Sequence, residues 1–172
     1  MADSLLQLSC KMDYLWSPWR MEYILSPKSD VGCIFCNGLK QADGPENLIV
    51  FRGLNAFVML NRFPYTSGHL MVVPYGHKPS LELLDAGSRL DIMDLSAKAL
   101  KVLGILYKPE GFNLGMNIGS AAGAGILDHV HLHIVPRWVG DTNFMSSISQ
   151  TRVLPELLVE TYRRVKEAWE PR

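Results

Sequence analysis

His129-Val130-His131-Leu132-His133-Ile134-Val135-Pro136 constrains this chain more than any other stretch. Imidazoles at every second position, alternating with Val, Leu and Ile, match the two-residue repeat of a β-strand, whose successive side chains point to opposite faces. One face is then all histidine, and the other carries Val130, Leu132 and Ile134, an apolar set that a sheet buries. Pro136 lacks the amide hydrogen a ladder needs, so the strand is expected over residues 130–135 and to stop there. The chain has five histidines, His69, His77 and these three. Three imidazoles packed into a core would each demand buried partners, so the pattern favours a site on the face turned away from the core.

The rest of the sequence limits what such a site can serve. With 17 basic and 17 acidic residues the formal charge is zero, and no Lys/Arg run offers a track for a long polyanion. A small phosphorylated ligand fits that balance better than a nucleic-acid polymer. Residues 1–10 lack the basic head and small-residue cleavage site of a secretory leader, and no apolar run reaches membrane length. A chain of 172 residues is long enough to bury one core, and the expectation is a single soluble, cytoplasmic domain with no membrane partner. Two of the three cysteines stand in Cys33-Ile34-Phe35-Cys36, which in a reducing compartment reads as metal-binding or redox-active.

Along the chain, residues 13–20 form an aromatic arm broken by Pro18, and residues 41–47 a loop. Residues 48–51, 56–60 and 69–74 read as a three-stranded meander, with a turn at 52–55. Helical spacing then runs over 80–107, with Leu90, Met93, Ala97, Leu100 and Leu103 or Gly104 on one side, until Lys108-Pro109-Glu110-Gly111 stops it. Residues 112–118 resemble a strand and 119–125 a glycine-rich loop before the histidines. Beyond Trp138 a polar stretch leads to a second helix, with Pro155 near its first turn and Leu158, Tyr162, Val165 and Trp169 along one face. Runs of strands interrupted by only two helices predict an α+β fold, an antiparallel sheet with one long helix and a C-terminal helix.

Imidazole can ligate a metal, shuttle protons or act as a nucleophile, and three on one face leave all of these open. Cys33 and Cys36 make half of a tetrahedral zinc site, to be completed by two ligands from His69/His77 or the triad. The β-rich surroundings of Cys33 favour zinc over a thioredoxin-like pair. Gly119-Ser120-Ala121-Ala122-Gly123-Ala124-Gly125 lets backbone N–H groups approach an anion, a phosphate cradle immediately ahead of the histidines. A phosphate held there meets an imidazole in line, which would give a covalent phosphorus–histidine intermediate while a neighbouring imidazolium protonates the departing oxygen.

His129–Pro136 resembles the signature of the histidine triad superfamily, His-φ-His-φ-His-φ-φ with φ apolar. Gly68-His69-Leu70-Met71-Val72-Val73-Pro74-Tyr75-Gly76-His77 is similar to a second segment of that family, and Cys33-x-x-Cys36 to the zinc-binding pair of its bacterial members. The similarity runs from about Trp16 to Trp138, with the three motifs in the family's order. Leu15-Trp16-Ser17-Pro18-Trp19-Arg20, Leu60-Asn61-Arg62-Phe63-Pro64-Tyr65 and the segment from Arg137 to Phe144 resemble its bacterial diadenosine tetraphosphate phosphorylase branch.

The resemblance implies one histidine triad domain over residues 1–172, with an N-terminal arm to about residue 30 and a C-terminal extension from about 139. It implies a homodimer that transfers a nucleotidyl group from a dinucleoside polyphosphate through His131, to phosphate or to water. His133 would contact the α-phosphate or leaving oxygen, while Cys33, Cys36, His77 and His129 would hold a structural zinc. Asn61 stands where many members place an Asp that holds the ribose hydroxyls, and Asn117 matches an Asn near the phosphates. One departure is Ala124-Gly125-Ile126-Leu127-Asp128, where many relatives carry Gly-Gln-Ser or Gly-Gln-Thr. Backbone amides at Gly123 and Gly125, with Ser120, are the candidates to replace those polar side chains. Nucleoside phosphoramidate hydrolysis, a zinc-stabilised nucleotide-binding protein without turnover, and a catalytic metal held by all three triad histidines are the competing readings.

Overall fold

The computed structural model describes residues 32–141 and 156–169. A short helix α1 (Ile34–Gly38) precedes strands β1 (Ile49–Arg52), β2 (Ala56–Leu60) and β3 (Leu70–Pro74). Helix α2 (Ala86–Tyr107), strands β4 (Gly111–Gly115) and β5 (Leu132–Arg137) and helix α3 (Leu158–Trp169) follow. The sheet order is β1-β2-β3-β5-β4, with every neighbouring pair antiparallel. This is the expected α+β arrangement, with the meander, the long helix and the C-terminal helix in place. The aromatic arm at 13–20 and Pro155 lie outside the described residues.

Strand alternation divides the sheet into two differently used faces. Ala56, Val58, Leu60, Leu70, Val72, Leu132 and Ile134 pack under α2 and α3 in the main core. Phe57, Met71 and Val73 emerge on the opposite face, where Phe35 and Ile49 join them in a second, smaller cluster. β3 serves both layers and is buried at all five positions. Each fully buried aliphatic side chain contributes about 1.5–3 kcal/mol, so the histidines of β5 stand on a scaffold anchored from behind.

The triad strand departs from expectation at both ends. β5 begins at Leu132, and His129 to His131 precede it outside the ladder, with a bend at His129. Alternation nevertheless persists, because Val130 is buried and its N–H is taken by the Lys78 carbonyl at 2.7 Å. The strand also runs through Pro136 to Arg137. Pairing with β3 ends at Ile134, and the Pro136 carbonyl on that side accepts from Thr66 Oγ1. The proline ring therefore lies where no ladder bond is lost, while β4 continues to pair opposite it.

Helix α2 starts at Ala86 rather than near residue 80, because Asp85 caps it through the Ser88 N–H at 2.8 Å. It ends on Lys108 in the left-handed conformation, immediately before Pro109. Its buried face also corrects the expectation. Ser88, Ile92, Leu95, Ser96, Ala99, Val102 and Leu103 face the core, whereas Leu90 is 64% and Met93 58% exposed. Both stripes have helical spacing, and serine was the misleading residue: Ser96 Oγ satisfies itself on the Ile92 carbonyl at 2.6 Å and so packs as a small residue. Asp91 joins α2 to the β1–β2 turn by accepting from the Asn55 and Ala56 amides. Gly53 in that turn is required, since a Cβ there would lie 2.8 Å from the Ala56 carbonyl oxygen and 2.9 Å from Leu95.

Helix α3 seals β1. The strand is irregular between Ile49 and Phe51, and at that point Tyr162 Oη and Lys166 Nζ donate to the Ile49 and Val50 carbonyls. At the start of α3, Glu156 accepts from Tyr107 Oη at 2.6 Å, Thr161 Oγ1 at 2.7 Å and Arg164 Nη1 at 2.5 Å. Burial pushes the Glu156 pKa up, but these three donors outweigh it and hold the carboxyl below the usual range. Its ionised form therefore stabilises the fold above the ordinary glutamate value of about 4.3, and that contribution is lost as pH falls through the lowered value. Glu156→Gln is expected to be less stable than wild type in urea at neutral pH, with the difference shrinking towards ~pH 3. A pH-independent difference would contradict this linkage.

Candidate active site and metal centre

On the face of the sheet opposite the helices, His131 is almost fully buried, and its Nδ1 lies 2.9 Å from the carbonyl oxygen of His129. A carbonyl only accepts, so Nδ1 carries the proton and Nε2 keeps its lone pair. Burial pushes the His131 pKa down, against the pull of that carbonyl. Burial prevails, favouring a neutral ring whose Nε2 lone pair can take up a proton, a metal or an electrophile.

His129 uses the opposite tautomer. Its Nε2 donates to the Pro74 carbonyl at 2.8 Å, which leaves the Nδ1 lone pair directed at three other donors. Nδ1 stands 3.3 Å from Cys33 Sγ, 3.7 Å from Cys36 Sγ and 3.3 Å from His77 Nδ1, and Cys36 Sγ stands 3.4 Å from His77 Nδ1. Metal–sulfur bonds of about 2.3 Å and metal–nitrogen bonds of about 2.0 Å make tetrahedral edges of roughly 3.5 Å for S···N and 3.3 Å for N···N. These four edges match such a tetrahedron and all four donors lie within 4.8 Å of one another, so these residues could hold a metal ion of zinc's ligand preference. Burial pushes the His129 pKa down, reinforced by His77 and His131 and opposed by the Pro74 carbonyl, which suits a neutral ligand. Burial and Cys33 push the Cys36 thiol up; a bound cation reverses that balance by stabilising thiolate. Contrary to the β surroundings expected, Cys33 caps and Cys36 sits within the one-turn helix α1.

A cavity of about 310 Å³ opens beside the triad, within the size range of small-molecule sites. Ile34, Phe35, Leu48, Met59, Met71 and Ile126 give it an apolar wall, and His131 and His133 stand at one end. Asn61, Asn117 and Gly125 also line it. Ser120 and Gly123 do not; both are exposed, on or just after the 3-10 turn Ser120–Ala122, where Gly123 takes a left-handed conformation. His129 faces the cysteines instead of the cavity. Phe35 lies between the two centres, its ring 5.2 Å from that of His129 and 5.0 Å from that of His131.

Three further residues contact these side chains, and sequence had given two of them no role and the third, His69, only that of a possible zinc ligand. Phe35 lies inside the cysteine motif, and Tyr65, at the end of the Leu60–Tyr65 segment, stacks its ring on His133. His69 is fully buried with Nε2 3.0 Å from His133 Nδ1. Its signal was available: it is the one histidine left over when the metal set and the other triad members are assigned.

A five-stranded antiparallel sheet carrying His-x-His-x-His beside an apolar cavity defines a histidine triad protein. The chain belongs to the HIT family, whose HIT domain profile matches residues 44–139. It is 37% identical over 166 residues to the AP-4-A phosphorylase of Mycobacterium tuberculosis, covering 92% of this chain and 85% of that one. It is 34% identical over 107 residues to the adenosine 5'-monophosphoramidase of Schizosaccharomyces pombe, covering 62% and 75%. Its fold is similar to that of a zinc-bound histidine triad family protein from Mycobacterium smegmatis, with a TM-score of 0.64 at 25% identity over 80% of this chain and 93% of that one.

The purified protein is expected to bind one zinc per chain, measured by competition with a chromophoric chelator. Loss of a supporting residue behind a ligand typically costs 10–100-fold in affinity, so Cys36→Ser, which removes a ligand, should cost at least about a hundredfold. Unchanged affinity in that variant would remove Cys36 from the metal set.

Proposed function

We propose that this protein cleaves dinucleoside polyphosphates, diadenosine tetraphosphate foremost, by passing a nucleotidyl group through His131 to inorganic phosphate. The observation that carries the proposal is the bond from His131 Nδ1–H to the His129 carbonyl, which frees Nε2 as a lone pair. The relative named AP-4-A phosphorylase supports the substrate and the acceptor.

In the first half-reaction Nε2 forms a bond to the α-phosphorus and the bridging P–O bond breaks. ATP departs as an anion from diadenosine tetraphosphate, its terminal phosphate being stable in that form with a second pKa of about 6. The adenylylated ring is then cationic, and the Nδ1–H bond to the His129 carbonyl stabilises it. In the second half-reaction a phosphate oxygen attacks the same phosphorus, the P–N bond breaks, ADP leaves and His131 returns to neutral. His133 donates to the α-phosphate, while Asn117 and the backbone at Gly125, which line the cavity, serve the phosphates beside it; Ser120 and Gly123, expected from sequence to share that work, stand outside the cavity. Asn61 takes the ribose with the lone pair and hydrogen that its bonds to Phe63 and His69 leave over.

The metal is read as structural zinc on Cys33, Cys36, His77 and His129. When bound it supplies a fixed charge that ties α1 to the triad segment. Thiolate ligands suit a reducing compartment, and we place the protein in the cytoplasm; among the described residues no helix is long and apolar enough to cross a membrane. We read the whole chain as one domain that acts as a homodimer, because β4 is an outer strand with Leu114 exposed and α2 turns Leu90, Met93 and Ile105 outward. Leu90→Glu combined with Met93→Glu should convert a dimer to a monomer in analytical ultracentrifugation, and a dimer that survives would exclude this face.

Phosphoramidate hydrolysis is the second reading, favoured by the likeness to the adenosine 5'-monophosphoramidase. Product analysis separates the two. With diadenosine tetraphosphate, ADP and ATP should form only when phosphate is present, and His131→Ala should lower the rate by at least about a thousandfold, as loss of a nucleophile does. AMP and ATP without phosphate would identify a hydrolase, and turnover of adenosine phosphoramidate alone would displace the dinucleotide.

A further inference from the structure

The histidine that none of these roles absorbs is His69, and its surroundings fix where its proton lies. Its Nδ1 is 3.1 Å from the backbone nitrogen of Tyr65, which can only donate. Asn61 presents a second donor to the same atom. Its Oδ1 accepts from the Phe63 N–H at 2.9 Å, which fixes the amide orientation and leaves Nδ2 3.5 Å from His69 Nδ1. With two donors aimed at it, Nδ1 carries a lone pair and the proton of His69 stands on Nε2. That Nε2 lies 3.0 Å from His133 Nδ1, so His69 donates and His133 Nδ1 accepts.

We propose that His69 is a positioning residue that locks His133 in its neutral Nε2–H form, making His133 a hydrogen-bond donor to the substrate phosphate instead of an imidazolium acid. For His133 to become imidazolium, a proton on its Nδ1 would have to face the Nε2–H of His69. Relief would require His69 to move its own proton to Nδ1, against the Tyr65 amide. Among the described residues, two further rings meet His133 and neither takes the proton from its Nε2: the Tyr65 ring stacks on it at 26°, and His131 meets it edge-on with ring centroids 4.8 Å apart. Arg62 and Glu46 line the same cavity from its exposed rim, where the guanidinium donates to the Glu46 carbonyl.

The chemistry is consistent with a donor that never gives up its proton. Neither half-reaction as written needs an acid, since ATP leaves as an anion and the incoming phosphate brings its own anionic oxygen. A neutral N–H aimed at the α-phosphate stabilises charge there throughout, the role for which loss of one donor costs about 10²–10³ in rate. The proton transfer expected from sequence, from an imidazolium to the departing oxygen, is thereby replaced. What His133 donates to rests on the nucleotidyl-transfer reading; its tautomer does not.

Two substitutions isosteric with each other test the lock. His69→Gln can still present an N–H to His133 Nδ1, whereas His69→Glu presents only an acceptor and invites a proton onto that atom. Long-range nitrogen–proton correlation spectra of the zinc-loaded, nucleotide-free protein should show His133 as the neutral Nε2–H tautomer from about pH 6 to 8 in wild type and in His69→Gln. His69→Glu should shift it to the Nδ1–H or doubly protonated form. With diadenosine tetraphosphate and phosphate, kcat should stay within about tenfold of wild type for Gln and fall at least about a hundredfold for Glu.

A His133 protonated on Nδ1 in the wild-type spectrum at pH 7 overturns the proposal, even if neither variant folds. Equal losses of kcat in two folded, zinc-loaded variants also overturn it, since a purely structural His69 predicts that result. The expected spectra in a protein that cleaves no dinucleotide would uphold the lock and count against the nucleotidyl-transfer reading alone.

Discussion

The hydrogen bond from His131 Nδ1 to the carbonyl of His129 is the constraint on which the site depends. It is local, spanning two residues, yet it couples both centres. His129 offers Nδ1 to the cysteines only because its Nε2 is held by the Pro74 carbonyl, and the same residue's backbone selects the tautomer of His131. Strand geometry makes this possible, since side chains two apart share a face. The candidate metal ligand and the nucleophile proposed for the reaction can then be neighbours without competing for one ion. The catalytic-metal reading, with all three triad histidines on one cation, is disfavoured by direction: His129 turns Nδ1 to the cysteines, whereas His131 and His133 stand at the cavity, which His129 does not line.

Burial does the complementary work. The main core lies on the other side of β5, so Val130, Leu132 and Ile134 anchor the chain segment while the histidines remain beside the cavity. Lifting an imidazole out of water disfavours its charged form, and both His129 and His131 respond in that direction. A ligand must be neutral to bind a metal and a nucleophile must be neutral to attack phosphorus. One physical effect thus prepares two kinds of chemistry, and the backbone carbonyls decide which nitrogen is used in each.

Much of this arrangement was legible because the two-residue repeat is a strong signal. The alternation of the triad and the bounds of β2 follow from pattern, whereas the convergence of Cys33 and Cys36 with His77 and His129 was implied by the family resemblance, spacing alone leaving the two histidines open. Three things were hidden for physical reasons. Helix α2 carries two apolar stripes, and periodicity cannot say which faces inward when self-satisfied serines stand on the buried one. The glycine-rich loop looked like a single cradle, but its 3-10 turn keeps Ser120 and Gly123 away from the cavity that Gly125 reaches. His69 was offered only as a possible zinc ligand, because the acceptor state of its Nδ1 is set by the fold of residues 61–65 and leaves no trace in the residue types.

The placement of α1 gives the metal centre a reach beyond stability. Cys33 and Cys36 bracket Ile34 and Phe35, and both of these line the cavity. An isolated helix of one turn is unstable in water, since nucleation costs more than its few hydrogen bonds return; α1 has no side-chain cap at its start either. Its position therefore depends on what its two cysteines and Phe35 bind. With a metal on both thiolates, the helix is tied at two points to His77 and His129, and Phe35 is pressed against the rings of His129 and His131. Without one, the same wall is held chiefly by the small apolar cluster around Phe57 and Val73. The metal site and the cavity consequently share a structural element, so the element that orders the one also shapes the wall of the other.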